Sequence, residues 1–577
     1  MSGRLRAWGL PLLRKELVER AARKRTYWIR VAYGVVLSGL ALLVLRDLLA
    51  SGGGRPFAVL GRGRVLFEFL VMSQFLGIAI ILPANAAGSI SQEKERNSLQ
   101  LLLLTDLGPW EILLEKLLAS LIPMLSFLLL SLPLMGVAYS LGGVTQARLW
   151  SGVYLLLLSS LQAASLSLFF SARMSTTAGA LISTYIALAA VYLLLPFLAL
   201  IADAAGLQRP TIPEPVCFAM LPPYLFMSAG LGSFGGTALG SIPIAVSVSL
   251  FLLGARYFLL RRAFSKRKNL LLRPMRAIDR LADRVNNSLG GIVLMGERDA
   301  LPDDRPIAWR EVRRRSFGSL RYLLRITIVL AVPMILVALL DLRESYIPPG
   351  GEAEISMILI FALWGLAILA VLVMGTSAIM AERNQQTLPL LLTAPISGAE
   401  ILRQKMEALR RLLLVLLVPF VSLYVIEAAA EIPLATPAER RPGGMATVLL
   451  GGATVVVYLS MFSWLSLSIG LRVRRRFPAM IVTLAVVAAW MVLPHVILMS
   501  IIVLKGNPTF LLEEYGYLFL LSPATAIFAL EVMEEFRSFF PGGFVQALIN
   551  NLVWHGLILL ALRYHCLRNA DRYLSRC

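Results

Sequence analysis

Between Arg148 and Arg173 the sequence reads LWSGVYLLLLSSLQAASLSLFFSA, residues 149–172, without one Asp, Glu, Lys or Arg. A helix needs about 20 predominantly apolar residues to cross the roughly 30 Å hydrocarbon core of a bilayer. A single charge at its centre would cost about 2.5–3.5 kcal/mol on insertion scales. Working outward, the same kind of uncharged run recurs at 69–91, 117–147, 174–202 and 215–255 in the first half of the chain. It recurs again at 355–381, 442–471, 477–504 and 538–562 in the second. Three shorter runs, 31–45, 326–340 and 412–426, have Arg30, Arg325 and Arg411 at their margins, where a long basic side chain can reach the headgroups. The pattern predicts an all-α, polytopic integral membrane protein with about twelve spans. Composition agrees: 58% of the 577 residues are hydrophobic and 15% charged, against about 25% charged in a soluble domain.

The net charge of +21 would also suit a nucleic-acid binder, but its placement argues for membrane topology. Basic residues collect in alternate loops, as cytoplasmic loops do. They fill the N-terminus (Arg14, Lys15, Arg20, Arg23, Lys24, Arg25), the middle (Arg261, Arg262, Lys266, Arg267, Lys268), the tight loop at Arg472–Arg476, and the end (Arg563, Arg568, Arg572, Arg576). The intervening loops lean acidic, with Glu352 and Glu354, Glu427 and Glu431, Glu513 and Glu514. Both termini are therefore expected in the cytoplasm, and no nucleic-acid partner is expected. One loop departs from the rule. Segment 46–64 should face outward yet carries Arg46, Arg55, Arg62 and Arg64. Cys217, Cys566 and Cys577 are far apart and suggest neither a disulfide framework nor a metal site.

The chain repeats itself. Glu93-Lys-Glu-Arg-Asn-Ser-Leu99 parallels Glu382-Arg-Asn-Gln-Gln-Thr-Leu388, and the match runs on without a gap at an offset of 289. Glu111-Ile-Leu113 meets Glu400-Ile-Leu402, and Lys116 meets Lys405. Pro11 to Glu16 parallels Pro306 to Glu311, and Pro196 meets Pro494. Shared leucines mean little in such a composition, but charged residues and prolines in one order mean a duplication. The expected organisation is a first transmembrane domain at 1–265, a cytoplasmic amphipathic connector at 266–305 and a second transmembrane domain at 306–577. An even number of spans in each half makes them parallel repeats.

Few constellations carry chemistry. No GxxxxGK[ST], HExxH, CxxC pair or GxSxG is present, so no catalytic, cofactor or metal site is expected. Ser160, Gln162, Ser463, Asn550, Asn551 and His555 lie within apolar runs, where polar groups either line a path or bond between helices. The informative segments are the loops after the second span of each half. In each, a span ends in charge, a short leucine run follows, a turn breaks it, and a new helix starts. The turns are Thr105-Asp-Leu-Gly-Pro109 and Thr393-Ala-Pro-Ile-Ser397. Each half thus presents a short, partly apolar helix held between two spans, a lever able to carry force from a soluble partner.

This doubled pattern, Glu93…Ser98-Leu99…Thr105…Glu111-Ile-Leu113…Lys116 and Glu382…Thr387-Leu388…Thr393-Ala-Pro395…Glu400-Ile-Leu402…Lys405, resembles the permeases of ABC-2-type exporters. The resemblance implies a permease subunit that forms the substrate path and takes its drive from a separate ATP-hydrolysing subunit, a dimer. ATP would be bound by that partner, with no cofactor held directly. It implies ATPase-coupling loops at 93–111 and 382–400, with Glu93, Lys94, Glu95, Arg96, Leu99 and Glu111 in one. Glu382, Arg383, Leu388, Pro395 and Glu400 would serve in the other. Glu93, Arg96, Glu382 and Arg383 are the first choices for docking contacts. The stretches 213–230 and 508–535 resemble the family's external re-entrant helices, and the location implied is a bacterial cytoplasmic membrane. Asp106 and Leu107 stand where the second half has Pro395 and Ile396, so the two levers need not be equivalent. The other readings are an ATP-independent membrane enzyme and a scaffold or regulator that moves no substrate. The substrate itself cannot be read from these residues.

Overall fold

The computed structural model describes residues 10–22, 24–51, 61–96, 98–204, 220–228, 234–262, 305–314, 327–328, 331–339, 354–384, 387–431, 444–473, 476–505, 521–531 and 544–575. The connector expected at 266–305 lies outside the described residues up to position 304. Secondary structure among the described residues is helical, and ten helices are long and apolar enough to cross a membrane. The chain is an all-α, multi-pass membrane protein. The ten do not include the run at 31–45, which lies inside a 28-residue helix. Nor do they include 326–340, helical at 327–328 and 331–339.

The described chain divides into two compact units. One comprises 1–263 with 485–547, the other 264–484 with 548–577. The first unit opens with α1 (Pro11–Ala21), α2 (Lys24–Ser51) and α3 (Gly63–Ala86). Two short helices follow, α4 (Ser91–Glu95) and α5 (Leu99–Leu103), then the long α6 (Pro109–Ser140), α7 (Gln146–Arg173) and α8 (Thr177–Ala204). The short α9 (Pro222–Ser228) falls in the segment 213–230 expected to be re-entrant, α10 (Phe234–Gly240) follows it, and α11 (Ile242–Arg262) completes this part. The second unit holds α12 (Pro306–Arg314), α13 (Glu354–Asn384), the short α14 (Leu388–Leu392), α15 (Gly398–Glu431) and α16 (Gly444–Arg472). Next, α17 (Arg476–Lys505) begins in the second unit and continues in the first, where α18 (Pro523–Glu531) also lies. The last long helix, α19 (Phe544–Arg568), returns to the second unit, which ends with α20 (Ala570–Ser575).

The opening quotation, α7, is the centre of the first unit. It packs against α3, α6, α8 and α11, and 61% of its spanning window is buried, the largest share among the ten. That surround explains how α7 tolerates so many hydroxyls. Ser159 and Ser167 donate to carbonyls four residues back, and Ser160 and Ser165 to carbonyls three back, so each is satisfied within its own helix. Small residues let neighbours close in. A Cβ at Gly152 would stand 2.9 Å from Phe67, and one at Gly254 2.7 Å from Phe169.

In the second unit α16 takes the central place, packed on α13 and α15. A Cβ at Gly375 of α13 would meet Ser466 Oγ at 1.8 Å, and one at Gly470 of α16 would meet the Thr376 carbonyl at 3.1 Å. Between helices in lipid, where water expulsion contributes little, close backbone approach and dispersion hold the pair together. Exposed leucines such as Leu129, Leu253 and Leu560 belong to this architecture, because the outer solvent is hydrocarbon.

The direction of each helix sorts the first unit into two ends. α3 runs into α4 and α5, and Lys94 of α4 reaches the last turn of α7. The opposite end joins the starts of α3 and α7 to the finish of α6. There Gly61 N donates to Leu141 O at 2.8 Å. Gly143 has φ +80°, and a Cβ on it would lie 2.2 Å from Gly61 O, so only glycine fits that junction.

Candidate functional site

The loop of the first unit is built on the charged residues of α4. Lys94 Nζ donates to the carbonyls of Ser171, Ala172 and Met174, groups left without helical partners where α7 stops. Glu95 accepts from Thr177 N at 2.9 Å and so caps the start of α8. Ser171 Oγ accepts the amides of Ile90 and Ser91 at 3.0 and 2.9 Å. Glu93 accepts a hydrogen bond from Ser98 Oγ, and Lys116 of α6 lies 3.9 Å from Glu93 and 2.5 Å from Glu16 of α1. Glu115 accepts the Leu13 amide at 2.8 Å, holding the first turn of α1 against α6. At the turn, Pro109 opens α6 and Glu111 accepts the Gly108 amide at 2.8 Å.

The loop of the second unit repeats the core of this construction, with its loop residues at an offset of 289. Glu382 accepts from Thr387 Oγ1 and pairs with Lys405 at 3.3 Å, as Glu93 does with Ser98 and Lys116. Arg383 donates to the carbonyls of Leu471, Val473 and Gly470 at 2.9, 3.1 and 3.3 Å, the task of Lys94. Gln404 stands where Glu115 stood and accepts the amides of Ile307 and Ala308 at 3.0 and 3.3 Å, holding α12. The helix lying against the loop changes sign, however. In the first unit it offers Glu16 to Lys116, so one cation serves two carboxylates. In the second it offers Arg310 to Glu382, so one carboxylate serves two cations.

Burial follows this difference. Glu382 is 1% exposed, whereas the Glu93 side chain is 32% exposed. Burial by itself would raise the Glu382 carboxyl. The Thr387 hydrogen bond and the charges of Lys405 and Arg310 outweigh it and hold the group below its ordinary 4.5. Glu382 and Arg383 are committed to partners inside their own unit, and so is Lys94. The surface is made by other residues. Leu99 and Leu388, each 3% exposed, anchor the short helices, while Leu101, Leu104 and Leu390 stand 68%, 78% and 72% exposed. Arg96, Glu111 and Pro395 are also exposed, and Glu400 is half-buried, bonded to Gln404 at 3.2 Å. The first loop shows Leu101 and Leu104 outward and the second Leu390 and Leu392, each pair above a charged brace.

Comparison with known families and curated proteins finds no match. No family model fits the sequence, and no curated protein is similar to it.

Several participants escape a reading of the loops alone. Glu115 and Gln404 share the 289-residue offset, and their common task follows once both are seen as acceptors. Asp571 has no such signal. It comes from α20, 173 positions away, and its Oδ1 accepts the Gly398 amide at 2.8 Å, capping α15. The first unit solves the same capping problem locally, with Glu111.

Among the polar residues of the apolar runs, Gln162 and Asn551 join helices, whereas Ser160, Ser463 and His555 bond carbonyls of their own helix. Gln162 donates to Ser247 Oγ at 3.1 Å and accepts from Tyr192 OH at 3.2 Å, linking α7 with α11 and α8. Ser463 donates to Leu459 O within α16. Asn551 accepts from Tyr458 OH, and His555 bonds the Asn551 carbonyl at 2.8 Å with its ring edge-on to Tyr458. Asn551 and His555 are buried; Asn550 is exposed on α19.

Proposed function

We propose that this chain is the permease subunit of an ABC exporter of the ABC-2 type, coupled to a separate ATPase dimer through loops 93–111 and 382–400. The observation that carries the reading is the repeated brace. Two unrelated surface loops would have no reason to share a carboxylate held by a hydroxyl five residues on and by a lysine 23 residues on. The construction fixes each short helix to three elements at once: the span before it, the span after it, and the amphipathic helix α1 or α12. A push on the exposed leucines is then transmitted to all three, because packed helices shift as bodies rather than deform. On this reading the loop end faces the cytoplasm, both termini lie on that side, and the full count is about twelve spans in a bacterial cytoplasmic membrane. ATP chemistry belongs to the partner. The docking contacts are Leu101, Leu104, Arg96 and Glu111 in one loop and Leu390 and Pro395 in the other. Glu93, Glu382 and Arg383 position those residues from below.

The test is co-purification. Gently solubilised protein should carry a stoichiometric ATPase subunit, recognised by mass spectrometry, and Leu101→Asp with Leu390→Asp should release it while the chain stays folded. A stable chain without any ATPase, under conditions that preserve other membrane complexes, would replace this reading by an ATP-independent enzyme or scaffold. ATP-dependent flux into inverted vesicles separates a transporter from a regulator.

A further inference from the structure

The end of the first unit away from the loops carries Arg64, one of the arginines that break the charge rule, and Arg148 of α7 meets it there. Arg64 Nε lies 2.8 Å and Arg148 NH2 2.6 Å from the same oxygen, Glu68 Oε1. Two guanidiniums share the one Glu68 carboxylate, so positive charge is in excess over that carboxylate. The Arg148 side chain is only 12% exposed, held by Glu68 and by the Phe226 ring, 5.4 Å from its carbon centre. Its Nε is buried and has no acceptor among the described residues. A buried donor on a cation, left unmet, favours an anionic oxygen as its partner. Trp150 and Tyr139, 54% and 45% exposed at the same end, are of the types that settle at headgroup level.

We propose that Arg64 and Arg148 form a binding site for the phosphate of an anionic phospholipid in the leaflet at the end opposite the loops. Glu68 draws both guanidiniums to one oxygen, other N–H groups of the pair serve the phosphate oxygens, and Trp150 and Tyr139 lie against the glycerol region. This inference is independent of the transport reading.

The experiment is native mass spectrometry of the full chain, released from phosphatidylcholine nanodiscs that contain phosphatidylglycerol as a minor lipid. Retained phosphatidylglycerol in excess of its share is expected. Arg64→Gln, at an exposed position that does not threaten folding, should lower that retention about fivefold, the effect of the ~1 kcal/mol one basic residue contributes at an anionic surface. Glu68→Gln should raise it by freeing both guanidiniums. Retention of the two lipids in proportion to supply, or retention indifferent to Arg64→Gln, overturns the site. Displacement of the phosphatidylglycerol by inorganic phosphate at equal concentration also overturns it, in favour of a soluble anion.

Discussion

Lys405 Nζ stands 3.3 Å from Glu382 Oε1, with the two side chains 1% and 2% exposed. Lys405 also donates to the Ala378 carbonyl at 3.1 Å, and Glu382 takes a second cation, Arg310, on the same oxygen. This pair is the deepest charge pair of either loop. Its counterpart, Lys116 with Glu93, is wider at 3.9 Å and more open.

Removing one partner of a buried pair strands the other charge, so Lys405→Met should destabilise the protein by about 3 kcal/mol. Arg310, partly exposed, compensates only in part. Lys116→Met, where Glu16 and Glu93 retain access to water, should cost about 1–2 kcal/mol. Thermal unfolding in detergent, followed by tryptophan fluorescence, measures both. Equal losses would contradict the difference in depth.

The depressed carboxyl of Glu382 predicts an acid limb. A group whose folded value lies below its unfolded one contributes stability above the unfolded value and loses it as pH falls through the folded one. The Glu382 contribution should therefore be complete above about pH 5 and fade below the ordinary 4.5. The stability difference between wild type and Glu382→Gln, measured as unfolding midpoints across pH 3 to 7, should shrink on acidification. A difference that grows would mean that burial, not its partners, governs this carboxyl.

The exposed leucines separate docking from folding. Leu101→Asp and Leu390→Asp change side chains that are 68% and 72% exposed, so each should move stability by no more than about 0.5 kcal/mol. The matching change at the anchors, Leu99→Asp or Leu388→Asp, should unfold the loop. Limited proteolysis within 93–111 and 382–400 reads this directly: protection persists in the first pair and disappears in the second.

Asp571 ties the C-terminal helix to the second loop. Asp571→Ala should cost about 1 kcal/mol, as for loss of a helix cap. It should also speed amide exchange at Gly398, with no effect at Gly108, which is capped by Glu111. Identical exchange at Gly398 in both proteins would exclude the cap.

Close packing of α13 on α16 rests on Gly375. Gly375→Ala places a methyl against Ser466 and 3.2 Å from the Ser463 carbonyl, and overpacking of this kind costs about 1–3 kcal/mol. Gly365→Ala, in the same helix with nothing within 4 Å of the new Cβ, should be neutral or stabilising by a few tenths of a kcal/mol. Comparable unfolding midpoints for the two variants would count against the contact.

The class of this protein was decided by the sequence alone, because the bilayer imposes a length and a ban on charge that any reader of 149–172 can check. The duplication was equally legible, since Glu93, Glu111 and Lys116 recur in order at one offset. So were the short helices, bracketed by charge on one side and by Pro109 or Pro395 on the other. Depth was not legible. Glu93 and Glu382 occupy equivalent places in the repeat, yet one is open and the other enclosed, because α1 brings a glutamate and α12 an arginine across more than 70 intervening residues. Nor could spacing show that Asp571 reaches Gly398, or that Arg64 and Arg148 share Glu68. Local pattern follows from the chain's own periodicity and its solvent. Which charges meet depends on how distant helices pack, and that information exists only once the helices are in place.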